Sequence, residues 1–405
     1  MKNRNVVVLG LGLTGLSAVR WAARHGARVS VADTRADPPF AARLAAELPH
    51  VPLSRGPITE RILADAALIV ISPGLAKDQP VIAAAVARGV ELAGDVELFA
   101  RALPAGQRVL AVTGSNGKST VATLTGELLR AAGLSAAVVG NIGQPVLDVL
   151  AAHERGDPWP DVLVIELSSF QLETTLSLAP TAAAVLNVTA NHLDRYRGID
   201  DYAQAKARIF AGGGGQVLNR DDPRSLAMRL ANRSVQTFGA GMPEAADDWG
   251  LVPRSGAFWL ARGGAPLLAE AELSLVGRHN ALNALAALAL VSTVAKIDVT
   301  VLAALAAFRG LPHRMERVAE VGGVLFVNDS KGTTVAATRA ALEGLDRPAV
   351  LIAGGDGKGQ DFVPLAGEAG RRCRAVVLLG RDAPAIASAL AGEVPTIELA
   401  PTLEA

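Results

Sequence analysis

One cysteine, Cys373, is all the thiol that this chain of 405 residues carries. It forms no intramolecular disulfide and builds no cysteine-based zinc site. Cys373 precedes a strand-like run, in RRCRAV, and is expected as a packed or idle thiol rather than a nucleophile. Aromatic residues are only 4% of the chain while hydrophobic residues are 50%, so Ala, Val and Leu must supply most of the packing. Neither sign of charge dominates: 39 Lys plus Arg face 39 Asp plus Glu. That balance argues against a broad electrostatic grip on nucleic acid or an anionic membrane, but leaves room for a local basic pocket. Long apolar runs are missing too. The Ala-rich stretch 281–294 is too short to span a bilayer and reads as a buried helix. The N-terminus MKNRNVVVLG enters a strand at once, without a signal-peptide core or a small-residue cleavage site. A cytoplasmic protein is expected, with neither nucleic acid nor membrane among its partners.

What the chain has in abundance is alternation. Apolar runs at 6–10, 27–33 and 66–74 read as buried parallel strands, with helical patterns at 16–26 and 79–89 between them. A second series begins at Val109, continues through 135–140, 161–169 and 181–189, and runs to about residue 309. A third has strand-like runs at 322–330, 349–355 and 375–380. Pro and Gly mark breaks at RALPAGQ (101–107) and RGLPH (309–313). The fold class is therefore α/β in three domains, 1–105, 106–309 and 310–405. The Gly run 212–215 and the Gly/Pro-rich region 239–266 are expected as loops. The chain stops at PTLEA, just after a candidate strand VPTIEL, so the third domain is expected to be incomplete.

The most informative stretch is RVLAVTGSNGKST, residues 108–120. An apolar strand enters a Gly-rich turn that closes on Lys118, Ser119 and Thr120, and a helical pattern follows. Glycines let backbone N–H groups converge on an anion, and the new helix points its positive end at the same place. Lys118 is placed to reach β- and γ-phosphates, and Ser119 to ligate Mg²⁺. Val112 stands where the generic pattern has its first Gly; the glycine is at Gly114 instead. The bland alternative is a Gly-rich turn with a surface lysine, but strand, Gly, Lys, Ser and helix agree in context. The central domain is expected to be of the P-loop ATPase type.

A second glycine motif, Gly10, Gly12 and Gly15, follows the first strand as G-x-G-x-x-G. Asp33 ends the second strand, near the spacing of a ribose-binding acid. The first domain is thus Rossmann-like, and so by its alternation is the third. Taken alone, the motif supports a nicotinamide-dependent oxidoreductase. The same turn fits any diphosphate, such as that of a UDP-sugar, or serves only tight packing. Ser72, after the third strand, is placed to close over a ligand there, and Asp33 and Thr34 to meet its base or ribose.

Carboxylates and cations gather at other strand ends. Glu166 follows DVLVI beside the phosphate loop, where it suits Mg²⁺; the alternative is an acid bound to a helix N-terminus. His192 lies in NVTANHLDRY beyond the next strand, and its position keeps metal, substrate and packing readings open. Lys206, in DYAQAKARIF, reads by itself as a helix-surface lysine. The clusters HNALNAL (279–285), LPHRMERV (311–318), NDSKGTT (328–334) and GGDGKGQDF (354–362) also fall at strand ends, turns or helix starts. Arg314 and Lys331 are suited to phosphate charge and Lys358 to an acidic substrate, unless each is a solvated charge.

In this order, VLGLGLTGLS, ISPGLA, TGSNGKST, ELSSFQLE, NVTANHLD, AQAKARIF, GRHNALNALAA, GLPHRMERV, NDSKGTT and GGDGKGQDF resemble the Mur ligases over nearly the whole chain. GLGLTG with SPG resembles the glutamate-adding branch. The resemblance implies an ATP-dependent amide ligase of peptidoglycan precursor synthesis. It would add D-glutamate to UDP-N-acetylmuramoyl-L-alanine through an acyl phosphate and work as a monomer. Gly114, Ser115, Asn116, Gly117, Lys118, Ser119 and Thr120 would bind ATP with Asn280, Asn283, His313, Arg314 and Asp329. Two Mg²⁺ would sit at Ser119, Glu166, His192 and Lys206, the last carbamylated and so carboxylate-like. Lys118, Glu166, His192 and Lys206 would carry catalysis. Gly12, Thr14, Gly15, Asp33, Thr34, Ser72, Asn141, Ser168 and Gln171 would meet the UDP substrate, and Lys331, Thr333 and Lys358 the glutamate. The family's later segment, with a Ser and a Phe that hold the glutamate side chain, has no counterpart here, so stereochemical preference is not legible. Thr334 stands where relatives often have Asn.

Overall fold

The computed structural model describes residues 1–191, 195–275, 277–345, 347–357 and 359–402. By packing, the chain divides into two compact units: residues 1–218, 222–235 and 293–295, and residues 219–221, 236–292 and 296–405.

The first unit contains two parallel sheets. One is built from β1 (Asn5–Leu9), β2 (Arg28–Asp33), β3 (Leu53–Arg55), β4 (Leu68–Ile71) and β5 (Glu91–Ala93), in the spatial order β3-β2-β1-β4-β5. Helices α1 (Leu13–Arg24), α2 (Ala41–Glu47), α3 (Glu60–Leu63), α4 (Pro80–Ala87) and α5 (Asp95–Ala102) alternate with the strands. β4, LIVI, is buried at every position, because helices cover both faces of a parallel sheet. Chain order reverses between β1 and β4, which creates a crevice at their carboxyl ends. Gly10 and Ser72 follow those two strands.

The other sheet holds β6 (Arg108–Thr113), β7 (Ala136–Gly140), β8 (Val162–Glu166), β9 (Ala182–Val185) and β10 (Gly215–Asn219), in the order β10-β9-β6-β8-β7. Its helices are α6 (Lys118–Ala131), α7 (Val146–Glu154), α8 (Ser169–Leu172), α9 (Ile199–Ala207) and α10 (Pro223–Leu226). Here β6 is the switch strand, flanked by β8 and β9. The two sheets share one apolar core. Polar contacts also join them: Ser17 Oγ donates to Asp148 at 2.7 Å and Trp21 Nε1 to Glu154 at 3.2 Å.

The second unit holds most of β11 (Val235–Phe238) with β12 (Trp249–Arg254), β13 (Ala257–Arg262) and β14 (Ala265–Ala269), the last three an antiparallel meander. This corrects the expectation of a loop over 239–266. Ser255 and Gly256 both have positive φ, the geometry of a two-residue hairpin turn that matches strand twist. Two helices follow, α11 (Arg278–Ser292) and α12 (Val299–Ala307), the first holding the expected Ala-rich buried stretch.

The run expected as one strand at 322–330 is instead half of a hairpin. β15 (Glu316–Val321) turns through Gly322 and Gly323, both at positive φ, into β16 (Val324–Asn328). Beyond it come α13 (Val335–Glu343), β17 (Ala349–Gly354), α14 (Ala366–Arg372), β18 (Cys373–Leu379), α15 (Ala383–Leu390) and β19 (Ile397–Leu399). The three strands form a parallel sheet in that order. Cys373 is buried in the core of this region, and burial pushes its thiol up to about 11, which fits a packed role. No helix among the described residues is long and apolar enough to cross a membrane.

Candidate functional site

In the first unit the glycine motif of 10–15 forms a tight strand–turn–helix. Gly10 takes φ +91°, and a Cβ there would lie 2.8 Å from Ser72 Oγ. Gly12 is the N-cap of α1, with open space around it, and Thr14 is half-buried in the first turn. A Cβ on Gly15 would sit 1.9 Å from the Gly10 carbonyl oxygen, so helix and strand approach closely only because that position is glycine. Ser72 Oγ donates to that same carbonyl at 3.2 Å.

Asp33 is only 2% exposed. Its Oδ2 accepts from the Leu11 N–H at 2.7 Å and from Arg35 Nη2 at 2.6 Å, and its Oδ1 from the Arg35 backbone and Nε at 2.9 Å. The Arg35 guanidinium and these backbone donors hold the carboxyl down at about 2, against the opposing effect of burial. Asp33 therefore braces the glycine turn, while Thr34 beside it is exposed.

The second glycine turn gathers more chemistry. Gly117 adopts φ +83° as the N-cap of α6, which turns the backbone sharply into the helix. The loop is braced from β9: Asn116 N–H donates to Asn187 Oδ1 at 2.8 Å, and Ser115 N–H to the Asn187 carbonyl at 2.9 Å. Ser115 Oγ donates to Thr189 O at 3.1 Å and accepts from the Thr189 N–H at 2.9 Å. Lys118 Nζ donates to the Gly114 and Ser115 carbonyls at 2.9 and 3.0 Å. Ser119 and Thr120 are buried in the first turn of α6.

Glu166, 1% exposed, ends β8 alongside. Its Oε1 accepts from Asn141 Nδ2 at 2.8 Å, while its Oε2 is buried with no hydrogen-bond partner among the described residues. A buried carboxylate oxygen without a partner is costly unless a cation satisfies it. That fits a Mg²⁺ ligand, as does its place beside a phosphate-type loop.

Lys206 departs most from its sequence reading. It is not on the helix surface but 1% exposed, with Nζ donating to Gly114 O at 2.8 Å and lying 4.4 Å from the Tyr202 ring centroid. Burial drives it well below the usual lysine range; the nearby Lys118 pushes the same way and Glu166 opposes.

Ser168 and Gln171 sit together just beyond Glu166. They form a reciprocal cap on α8, with Gln171 N–H donating to Ser168 Oγ at 3.2 Å and Ser168 N–H to Gln171 Oε1 at 3.0 Å. The structure thus brings Gly114–Thr120, Asn141, Glu166 and Lys206 into one place. His192 and Lys358 lie outside the described residues. Among the described residues no three His, Cys, Asp or Glu side chains converge as a metal cluster. Sequence reasoning missed Asn187, Thr189 and Tyr202. The first two follow β9 directly and Tyr202 is one helical turn before Lys206, so strand-end position and i, i+4 spacing were signals for them.

In the second unit, Asn280 is buried in the first turn of α11, and Asn283 Nδ2 donates to its Oδ1 at 3.0 Å. His313, at φ +64°, approaches Asn328, with Asn328 Nδ2 and His313 Nδ1 2.9 Å apart. Asp329 Oδ1 accepts from the Met315 N–H at 3.0 Å, and burial pushes its carboxyl up. The backbone of Lys331 donates to the His313 carbonyl at 3.0 Å. Arg314 is half-buried beside this group, whereas Lys331 and Thr333 are exposed.

Comparison with known proteins gives a consistent picture. Residues 4–94 match the Mur ligase MurD-like N-terminal domain, 112–291 the Mur ligase middle domain and 313–405 the Mur ligase glutamate ligase domain. The UDP-N-acetylmuramoylalanine–D-glutamate ligase of Methylobacillus flagellatus is 53% identical over 100% of this chain and 88% of its own length. That of Thiobacillus denitrificans is 53% identical over 96% of this chain and 85% of its own. Among solved structures, the UDP-N-acetylmuramate-alanine ligase MurC of Thermotoga maritima shares the fold (TM-score 0.62, 19% identity, 98% of this chain and 91% of that one). A pseudomurein peptide ligase type C of Methanothermus fervidus shares it too (TM-score 0.60, 20% identity, 98% and 89%).

Proposed function

Because the chain belongs to the Mur ligase family, we infer that it is an ATP-dependent ligase joining D-glutamate to UDP-N-acetylmuramoyl-L-alanine, in peptidoglycan precursor synthesis. The observation that carries this reading is the close grouping of the phosphate-type loop, Lys118, Lys206 and the unpartnered Glu166 oxygen. In this reading the loop N–H groups and Lys118 hold the nucleotide phosphates. Lys118 then balances charge as the γ-phosphoryl passes from ATP to the substrate carboxylate, which makes an acyl phosphate and leaves ADP. The glutamate amine attacks that acyl carbon, and the tetrahedral intermediate collapses to the amide, releasing phosphate and the amine's proton. The crevice at Gly10–Gly15 and Ser72 takes the UDP end, with Gly12, Thr14, Asp33 and Thr34 around it. Asn141, Ser168 and Gln171 stand toward the muramoyl end. A nicotinamide oxidoreductase would leave Lys118, Glu166 and Lys206 without a task.

Ser119, Glu166, His192 and Lys206 would hold Mg²⁺, two ions in all. When bound, Mg²⁺ neutralises phosphate charge and orients the transfer. The buried, neutral-leaning Lys206 amine is suited to take up CO₂ as a carbamate, because only an uncharged amine adds to CO₂. The product is an anion beside Glu166, where an ammonium would repel the metal. Asn280, Asn283, His313, Arg314 and Asp329 are assigned to ATP, and Lys331, Thr333 and Lys358 to glutamate. The matched spans support domains at 1–105, 106–309 and 310–405. ATP and a nucleotide-linked sugar are cytoplasmic substrates, and we place the protein there as a monomer.

Phosphate release from ATP and Mg²⁺ with UDP-N-acetylmuramoyl-L-alanine tests the reaction. Release that requires D-glutamate is expected; release with L-glutamate alone would overturn the stereochemistry, and none with either, also after the chain is extended by the family's later segment, would overturn the ligase. For the carbamate, ¹³C-bicarbonate should give a carbamate resonance that disappears in Lys206→Ala. A wild-type spectrum without it would remove that modification.

A further inference from the structure

Arg195 lies outside every role assigned above, yet it makes an unusual set of contacts within the first unit. Its Nη1 donates to the Pro73 carbonyl at 3.3 Å. Its Nη2 donates to the Leu75 carbonyl at 2.9 Å and to Glu173 Oε2 at 3.1 Å. The guanidinium carbon stands 4.4 Å from the centroid of the Phe170 ring. Glu173 Oε1 accepts from the Tyr196 hydroxyl at 2.6 Å, and its backbone carbonyl from Lys77 Nζ at 3.3 Å. The Arg195 and Glu173 side chains are only 14% and 10% exposed. A buried ion pair is poor evidence for stability, because desolvation offsets most of its attraction. Its geometry suggests another task.

Pro73 and Leu75 belong to the turn after β4, the turn whose Ser72 hydroxyl bonds the Gly10 carbonyl. Glu173 is the C-cap of α8, and the N-cap of that short helix is two residues beyond Glu166. One planar guanidinium therefore fastens the wall of the first crevice to the helix that leaves the second. The fork's donors sit on separate nitrogens fixed in one plane, so it reaches two carbonyls and a carboxylate that lie apart, a spread that the three donors of a single ammonium nitrogen do not match.

We propose that Arg195, with Glu173, is a positioning residue that couples occupancy of the Gly10–Ser72 crevice to the phosphate-transfer site. The proposal rests on the function inferred above. The substrate spans both crevices, its diphosphate in one and its reacting carboxylate in the other. Crevices that drift independently would bind each end well and still miss reactive alignment.

Calorimetry on the full chain tests this. UDP-N-acetylmuramoyl-L-alanine is titrated with and without a non-hydrolysable ATP analogue and Mg²⁺, alongside kcat and KM. In Arg195→Ala each ligand alone should bind within about twofold of wild type, while the factor by which one tightens the other falls to one and kcat drops about tenfold. Glu173→Gln should act in the same direction, and the double variant should be no worse than Arg195→Ala. Arg195→Lys should stay impaired, since it restores charge beside Glu173 but not the fork. Full recovery by lysine would overturn the proposal. So would a wild type without coupling, unchanged coupling in Arg195→Ala, or a parallel loss of both single affinities and melting temperature. If wild type couples the two ligands and Arg195→Ala does not, yet no D-glutamate-dependent phosphate appears even when the chain is extended by the family's later segment, the clasp stands and the ligase reading falls.

Discussion

Two glycine turns in the first unit share a frame and differ in everything around it. Each follows the switch strand of its sheet, β1 or β6, and each opens a helix, α1 or α6. In the first, the neighbouring strand-end acid is already satisfied: Asp33 is held by Leu11 and Arg35. In the second, the neighbouring acid keeps one buried oxygen without a partner among the described residues, and two lysines converge on Gly114 O. The glycines make a cradle in both places. The charged groups delivered by adjacent elements separate the two turns; in the proposed reading the first grips the UDP end and the second serves phosphoryl transfer.

The comparison is most easily broken at Lys118. Lys118→Ala should cut kcat by about 10³-fold while leaving the dissociation constant of the UDP substrate within about twofold, because only the second turn loses its cation. Retained turnover, or lost UDP-substrate affinity, would mean that the two turns do not divide the work this way.

Gly15→Ala tests the frame itself. The added Cβ would collide with the Gly10 carbonyl 1.9 Å away, so a cost of about 2–3 kcal/mol is expected in denaturant unfolding. Gly12→Ala, with nothing within 4 Å of its Cβ, serves as the mild control. Equal midpoints for the two variants would show that the close approach is not needed.

A smaller effect is expected from Asp33→Asn: about tenfold weaker UDP-substrate binding with kcat unchanged. Its pH signature has a definite sign. The folded carboxyl sits at about 2, below its ordinary 3.8. The stability it contributes is therefore complete above the ordinary value and is lost as pH falls through the folded one. Melting curves between pH 5 and 2 should fall more steeply for wild type than for Asp33→Asn (the window comes from those two values). Parallel curves would show that Asp33 does not brace the turn as an anion.

Much of this was legible beforehand. The buried runs VVVLG and LIVI became strands because parallel sheets bury both faces, and the two Gly patterns fell at switch strands. The meander within 239–266 was hidden, because Gly239, Gly241, Pro243 and Pro253 read as breakers. The hairpin information lay in Ser255 and Gly256, at positive φ between two six-residue strands. Lys206 was singled out only by the family resemblance and hidden in its own sequence context. Its sequence neighbours Gln204 and Arg208 look solvent-facing, and only tertiary packing buries the lysine among Gly114 and Tyr202. Asp33 had the right spacing for a ribose contact, and what the sequence did not show is that Arg35, two residues on, folds back onto it. Arg195 gave no signal, since its partners lie 22 and 120 positions away.

Lys118 rests with its ammonium on the Gly114 and Ser115 carbonyls. An incoming anion must therefore outbid the loop's own acceptors for the same protons. In the proposed reading, a polyphosphate chain presents many oxygens to the N–H groups and the lysine together, more than a solitary monoanion would. The loop would then carry its own competitor, displaced more readily by ligands that bring several phosphate oxygens.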